Sequence, residues 1–222
     1  MRVLVACEES QAVTKELREL GHEAYSCDLQ ECSGGHDEWH LNVDASQLLK
    51  MKWDLIIAHP PCTYLTNGGA VRMYKEKGVI DEERYSKAMD AKDFFMLFFN
   101  SKCKHIAIEN PVPMSCVGLP PYSQVIEPYE FGEPYSKKTC LWLKNLPLLK
   151  PTEYVEEYQP FINGGGGGWK DRTTTQRSLQ TEAKHGARHS KELPMQWQHS
   201  GSKPYAKTTK TQSRTSCSRR TN

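Results

Sequence analysis

The sequence predicts an α/β domain with a mainly parallel sheet and helices on both faces. Short apolar runs alternate with longer stretches whose apolar residues recur at helical spacing, the pattern of strand, helix and strand in succession. The run at 53–58, WDLIIA, is apolar through its centre, as expected of a strand covered on both faces. Polar residues follow each run at once, so the strands are expected to end at a ligand-binding edge.

The first strand and helix are predicted at the N-terminus. Residues 2–6, RVLVA, form a short β-branched run, and Val13 and Leu17 then recur at helical spacing. We expect Ser10 to cap this helix and Gly21 to end it.

Three more strands are predicted in the first quarter of the chain. The run 23–27 ends at Asp28, and the run 39–43 ends at Asp44. The strand at 53–58 continues directly into the sequence HPPC. Both carboxylates should therefore lie at the ends of strands.

The second half of the body continues the alternation. A polar loop, 63–79, precedes a helix predicted from 81 to about 100, whose aromatic stripe is typical of a core-facing side. The segment 105–111, HIAIENP, reads as a strand and turn. A proline-rich loop is expected over 111–134, before a last strand at 139–143, TCLWL.

The polar turns are expected to converge on one site, because parallel strands end at one edge of their sheet. Two prolines fix the backbone before Cys62 and present its thiol at that edge, an arrangement that suits a nucleophile. Taken alone, such a cysteine is also compatible with a small buried residue. The converging groups are Cys7 to Ser10, Asp28, Asp44, His59 to Cys62 and Glu109 to Pro111.

Two of these segments resemble motifs of the DNA cytosine-5 methyltransferases. The pairs Pro61-Cys62 and Glu109-Asn110 match the nucleophile and glutamate motifs of that family, in the family's order along the chain. The segment HPPCTYLTN is similar to that of short phage-type or prophage-type members. The resemblance covers about residues 1–145 and implies a Rossmann-like, S-adenosylmethionine-dependent methyltransferase fold.

The resemblance also implies a reaction. The Cys62 thiolate would attack C6 of a cytosine, and Glu109 would stabilise the charge on the ring while C5 takes a methyl group from S-adenosylmethionine. The substrate would be a flipped or unpaired base in DNA, with RNA left open. Cofactor binding would fall to Cys7, Glu8, Ser10, Asp28, Asp44 and Pro61, and substrate binding to Asn110, Lys137 and Lys138.

Several features differ from the family pattern. The first loop, ACEESQ, contains no glycine, and lysines 137 and 138 stand where the family has arginines, although lysine has no planar fork. Only about 25 residues replace the target-recognition domain. Alternatives therefore remain: an exocyclic-amino methyltransferase, although those enzymes place an aromatic residue where Cys62 stands, or an inactive nucleic-acid-binding remnant. Asp28 and Asp44 are likewise compatible with plain caps or turn formers.

A cysteine and histidine array lies near the spacing of structural zinc sites. It consists of Cys27, Cys32, His36 and His40. Cys27 is expected inside a strand, so we favour His36 and His40 as polar loop residues and predict no metal.

Charge divides the chain in two. Of the 29 Lys+Arg and 27 Asp+Glu residues, 12 and 3 fall in 163–222, which leaves 17 and 24 in 1–162. The body is therefore at −7 and the tail at +9. The tail begins with the flexible joint GGGGG and has 10 apolar residues in 60, too few for a core.

We therefore predict a methyltransferase-like domain over 1–162 and a disordered basic tail over 163–222. The alternative role for the tail is nucleic-acid binding. A frameshifted or truncated gene product is the hypothesis for its origin.

Composition excludes some classes of protein. No apolar run approaches the length of a membrane span, and Glu8 and Glu9 interrupt the N-terminus where a secretory signal would be apolar. The eight cysteines are thus expected to be reduced thiols in a cytoplasmic protein.

Overall fold

The computed structural model of the protein describes residues 1–160; the predicted joint and tail, 163–222, lie outside these described residues. The α-helices are α1 (Ala12–Glu19), α2 (Ala45–Leu48) and α3 (Glu82–Phe99). The strands are β1 (Arg2–Ala6), β2 (Glu23–Asp28), β3 (His40–Asn42), β4 (Leu55–Ala58), β5 (Tyr74–Glu76), β6 (Val79–Ile80), β7 (His105–Pro111), β8 (Gln124–Ile126), β9 (Tyr135–Ser136), β10 (Thr139–Lys144) and β11 (Gln159–Pro160).

Seven strands form the central sheet, in the order β3-β2-β1-β4-β7-β10-β8. The pairs β3-β2, β2-β1, β1-β4 and β4-β7 are parallel, whereas β10 runs antiparallel to both β7 and β8. The order reverses at β1, so a crevice opens beyond the ends of β1 and β4. This mainly parallel sheet, with the reversed strand β10 between β7 and β8, confirms the predicted Rossmann-like α/β fold.

The core has two layers, one on each face of the sheet. Phe95 and Phe98 of α3 pack with Ile56 of β4 on one face. Val13 and Leu17 of α1 pack on the other face against alternate residues of β1 and β4. Helices therefore cover both faces, as predicted from the apolar β4. Within residues 1–160 no helix is long and apolar enough to span a bilayer.

Three local features differ from the sequence predictions. The loop 63–79 contains the hairpin β5–β6, and the region 111–134 contains β8. These strands are two or three residues long, too short to show an alternating pattern in the sequence. The predicted strands at 39–43 and 53–58 begin later, at His40 and Leu55.

The predicted cap of α1 is wrong. Gln11, not Ser10, occupies the N-cap position, and its side chain does not cap the helix. Glu8 supplies the missing acceptor: its carboxylate accepts hydrogen bonds from Val13 N at 2.5 Å and from Thr14 N at 3.3 Å. A carboxylate also complements the positive end of the helix dipole. Glu8 precedes the N-cap position by three residues, so the usual sequence spacing of capping residues does not identify it.

Candidate active site

A cleft opens at the edge of the sheet where β1, β2 and β4 end. Its empty space is about 390 Å³, a figure that includes open solvent. Four of the six residues predicted to bind the cofactor line it. The full lining is Cys7, Cys27, Asp28, Leu29, Val43, Asp44, Ala45, Pro61 and Phe94.

Asp28 and Asp44 place two carboxylates on this cleft. Asp28 Oδ1 accepts a hydrogen bond from Gln30 N at 3.0 Å, and Asp44 Oδ1 accepts one from Ser46 N at 2.8 Å as the N-cap of α2. The hydrogen bonds from Ser46 lower the pKa of Asp44 below its ordinary value, so it is ionised at neutral pH. Each residue is thus a turn former or cap and also a cleft-lining acceptor, so the two alternatives are not exclusive.

Cys7 turns the backbone at the end of β1. Its φ is 60°, in the left-handed region that non-glycine residues seldom adopt. Burial, followed by the charge of Asp28, raises the pKa of the Cys7 thiol to about 12. Cys7 is therefore a neutral thiol on the cleft wall, so its sulfur can bond a ligand but is not a ready nucleophile.

The loop after β2 is fastened onto this first turn. Gln11 is fully buried; its Nε2 donates to His36 O at 2.7 Å, and its Oε1 accepts from His36 N at 3.1 Å. Gly34 lies directly against it: a Cβ at Gly34 would be 2.5 Å from that of Gln11 and 2.6 Å from Ser10 O. Gly34 therefore allows a close approach of the two loops that a side chain at this position would prevent.

Two predicted cofactor ligands do not line this cleft. Glu8 is only 6% exposed, and its oxygens are bonded to Val13 and to Thr14, whose hydroxyl donates at 2.7 Å. The Glu8 carboxylate is thus held at the N-terminus of α1, and its contact with a cofactor stays a prediction. Ser10 is half-buried beside Gly34, outside the lining of the cleft.

The lining of the cleft can be compared with the chemistry of the predicted cofactor, S-adenosylmethionine. Asp28 and Asp44 offer acceptors for ribose hydroxyls and for an adenine amino group. Leu29, Val43 and Phe94 offer apolar contacts for a base. Acidic and apolar walls of this kind also suit a cofactor that bears a cationic sulfonium.

The Cys62 loop begins at the wall of the cleft. Pro61 lines the cleft, and Cys62, half-buried, is the next residue. The Cys62 carbonyl accepts hydrogen bonds from Leu65 N at 3.0 Å and Thr66 N at 3.3 Å, which close a turn after the thiol. Met114 N donates to Leu65 O at 2.7 Å, so the segment after β7 holds this turn in place.

Asn110 joins the two predicted catalytic motifs. Its Nδ2 donates to Pro60 O at 2.8 Å, and its side chain is completely buried. The register Ala58–Ile108 between β4 and β7 brings Asn110 level with Pro60. The Asn110 side chain has no exposed surface and therefore anchors the loop that bears Cys62; its contact with a substrate stays a prediction.

His59 was expected among the converging turns, but the sequence reasoning assigned it no role. Its Nδ1 lies 3.4 Å from Glu109 Oε2, with 24% and 28% of the two side chains exposed. Burial would lower the pKa of His59, but the hydrogen bond and charge of Glu109 and the charge of Glu8 raise it above its ordinary value. A histidine directly before the two prolines, at a strand end, was the available signal.

The two lysines proposed for substrate contacts lie at the same edge. They occupy the turn before β10, whose first residue, Thr139, pairs with Pro111 at the end of β7. Lys137 is half-buried and Lys138 is exposed. Their contact with substrate stays a prediction.

The cysteine and histidine array does not converge. Cys27 donates its thiol to Val43 O at 3.1 Å, and Cys32 donates to Asp37 at 2.9 Å. His40 Nε2 donates to Gln30 O at 2.9 Å, and His36 stacks on Trp39 with 3.8 Å between ring centroids. In the part of the chain described, no group of three or more His, Cys, Asp or Glu side chains is placed to hold a metal ion.

Comparisons with known proteins give likenesses only among solved structures, since no family model and no curated protein matches the chain. One likeness is to a protein described as a DNA modification methyltransferase encoded within an E. coli prophage (13% identity, TM-score 0.43, 69% of this chain and 51% of that one). Another is to S. pombe Dnmt2 methyltransferase (13%, 0.38, 77% and 57%). A third is to the Entamoeba histolytica methyltransferase EhMeth (14%, 0.44, 71% and 57%). The chain spans about half the length of these proteins.

Proposed function

We propose that this protein transfers a methyl group from S-adenosylmethionine to C5 of cytosine in DNA, through a covalent adduct on Cys62. One observation supports this most strongly: Pro61 lines the cleft, and the next residue is the candidate nucleophile. A thiol that attacks C6 must lie beside the methyl donor for C5, because C5 and C6 are adjacent ring atoms.

The proposed cofactor site follows from the cleft. Asp28 and Asp44 would bind its hydroxyl and amino groups, and Cys7 and Pro61 would contact the part nearest the reacting base. The bound cofactor supplies an electrophilic methyl group on a sulfonium. The acidic wall would bind the cofactor, which carries a positive sulfonium, more tightly than the demethylated product, whose sulfur is a neutral thioether.

The chain's own residues would perform the remaining chemistry. Cys62 Sγ forms a bond to C6, and Glu109 hydrogen bonds the N3 and amino edge, where charge develops. After C5 has bonded the methyl group, a base removes the C5 proton, and the electron pair left behind expels Cys62. Asn110 keeps the Cys62 loop in place by its bond to Pro60.

An oligonucleotide containing 5-fluorocytosine tests the proposal. Fluorine replaces the proton that must leave, so the adduct cannot resolve and is retained in denaturing gels. We expect an adduct that requires cofactor and is lost in Cys62→Ala. Cys116→Ala is the matched control, since Cys116 is also half-buried and lies in a separate turn, 115–117.

The outcome also separates the alternatives. Retention of the adduct in Cys62→Ala, or its absence from the wild-type protein, would refute the covalent mechanism. Methylation of an exocyclic amine without an adduct would indicate the amino-methyltransferase alternative. Binding of nucleic acid without any transfer would indicate an inactive remnant.

A further inference from the structure

A second, polar cleft lies beside the Cys62 loop. It encloses about 540 Å³, part of it open to solvent, between the loop after Cys62 and the first turns of α3. The cofactor site described above does not use it. Its lining residues are Tyr64, Arg72, Asp81, Glu83, Arg84 and Lys87.

Arg84 connects this cleft to the nucleophile loop. Its Nη2 donates to Thr63 O at 3.4 Å, and its guanidinium carbon lies 5.1 Å from the centroid of the Tyr64 ring. Gly69 closes over it, since a Cβ there would be 2.7 Å from Arg84 Nη2. Thr63 directly follows Cys62, so this hydrogen bond ties Arg84 to the loop that bears the proposed nucleophile.

The carboxylates of this cleft already have partners. Glu83 Oε1 accepts from Lys87 Nζ at 2.6 Å, and Asp81 Oδ1 accepts from Arg84 N at 3.1 Å as the N-cap of α3. Among the ion pairs of residues 1–160, none joins Arg72 or Arg84 to a carboxylate. Arg84 Nε is buried and has no hydrogen-bond partner in that same part of the chain.

Two guanidinium groups therefore face the cleft without an anion. This is notable in a body, residues 1–162, whose net charge is −7. A polyanion approaching Cys62 would be repelled by most of that body and attracted at this position. The planar fork of arginine matches the oxygens of a phosphate.

We propose that this cleft binds a backbone phosphate of the nucleic-acid strand, beside the nucleotide whose base faces Cys62. The proposal rests on the proposed function and names the part of its substrate that Arg72 and Arg84 recognise. Tyr64, between the cleft and Cys62, is placed to contact the same nucleotide by its ring or hydroxyl.

A salt titration of binding tests the cleft. The full chain and its Arg72→Gln variant are titrated with a labelled oligonucleotide by fluorescence anisotropy at several salt concentrations. We expect the dissociation constant of Arg72→Gln to rise about tenfold and the slope of log K against log salt to fall by about 0.7 to 0.9, one phosphate contact. Lys75→Gln, an exposed residue of β5, is the charge-matched control and should keep the wild-type slope.

A second variant tests the geometry. Arg84→Lys keeps the charge but loses the fork, so we expect weaker binding at an unchanged slope. Wild-type affinity and slope in Arg72→Gln, or an equal loss in Lys75→Gln, would overturn the proposal. Equal competition by polyglutamate of matched charge would assign the cleft to acidic proteins and overturn it as well.

The 5-fluorocytosine adduct distinguishes the two levels of failure. If the wild-type chain forms the adduct, and Arg72→Gln binds the oligonucleotide with the affinity and salt slope of the wild-type chain, only the phosphate site is wrong. If the wild-type chain neither binds nucleic acid nor forms the adduct, the proposed function fails, and the phosphate site fails with it.

Discussion

His59 and Glu109 face each other across β4 and β7, with Nδ1 of the imidazole 3.4 Å from Oε2 of the carboxylate. Each directly follows the last pair between the two strands, Ala58 with Ile108. The relationship fixes the carboxylate proposed to recognise the base. It also makes the local charge depend on pH, since Glu8 and Glu109 both act on the imidazole.

The stability that this pair contributes should be lost at high pH. The pKa of His59 is raised above its ordinary 6.5, so the folded protein holds the proton more tightly than the unfolded chain. The contribution is therefore complete below pH 6.5 and disappears as the pH rises through the folded-state pKa. We expect His59→Gln to lower the free energy of unfolding by about 1 kcal/mol at acidic pH and by less at alkaline pH. Urea unfolding at several pH values measures this, and a gap that widens with pH would contradict it.

Asn110→Ala should separate loop positioning from cofactor binding. It removes the Nδ2 bond to Pro60 O and leaves that buried region without a donor, at a cost of about 1 to 3 kcal/mol in unfolding free energy. We expect slower formation of the 5-fluorocytosine adduct and an unchanged dissociation constant for the cofactor by calorimetry. A change in cofactor affinity alone would contradict the positioning role. Asn100→Ala, at an exposed helix end, is the control.

Asp28→Asn should weaken the cofactor without disturbing the turn. The amide oxygen can still accept from Gln30 N, whereas the charge on the cleft is lost. Because hydrogen bonds to charged groups are worth about 1.5 to 3 kcal/mol, we expect a ten- to hundredfold rise in the dissociation constant. Asp37→Asn, in the neighbouring loop and outside the cleft lining, is the matched control. Equal affinities for both variants would remove Asp28 from the proposed site.

Gly34→Ala should damage the first loop far more than Gly35→Ala. A Cβ at Gly34 would be 2.5 Å from the Cβ of buried Gln11, whereas one at Gly35 would meet nothing within 4 Å and only strain a φ of +84°. We expect losses of about 1 to 3 kcal/mol at Gly34 and about 1 kcal/mol at Gly35. Thermal unfolding of the two variants compares them. We also expect weaker cofactor binding only in Gly34→Ala; the reverse order would contradict the fastening of the two loops.

Three buried thiols should resist alkylation at neutral pH. Burial raises the pKa of Cys7 to about 12 and those of Cys27 and Cys140 to about 11. Since the thiolate is the reactive form, we expect iodoacetamide to modify them at neutral pH only after unfolding. Peptide mass spectrometry of native and urea-treated protein measures this. Rapid labelling of Cys7 in the native protein would mean that the first loop opens readily.

Much of the fold could be predicted from local pattern. The helix at 81–100 was predicted with its two capping residues, since α3 spans Glu82–Phe99 between Asp81 and Asn100. The strand β10 was predicted from TCLWL. The short strands β5, β6 and β8 could not be predicted in this way, because pairing with a neighbour creates them and two or three residues have no periodicity.

The candidate site divides along the same line. Pro61, Asp28 and Asp44 were predicted at one edge because each follows a strand, and the cleft contains all three. The residue types of Glu8 and Asn110 suit ligand binding as well as internal bonding, and only their burial shows that their side chains hold a helix and a loop.

By itself, then, the sequence determined the order of the elements, the parallel sheet and the edge at which the polar turns meet, because hydrophobic periodicity and proline act along the chain. The tertiary structure alone decided which polar groups are available to a ligand and which are consumed as internal partners. Buried polar atoms must find hydrogen-bond partners, and those partners, such as Pro60 for Asn110 or His36 for Gln11, lie far away in sequence. Glu8, for example, is bonded to the N-terminus of a helix, whereas Arg72 and Arg84 line a cleft that is open to solvent.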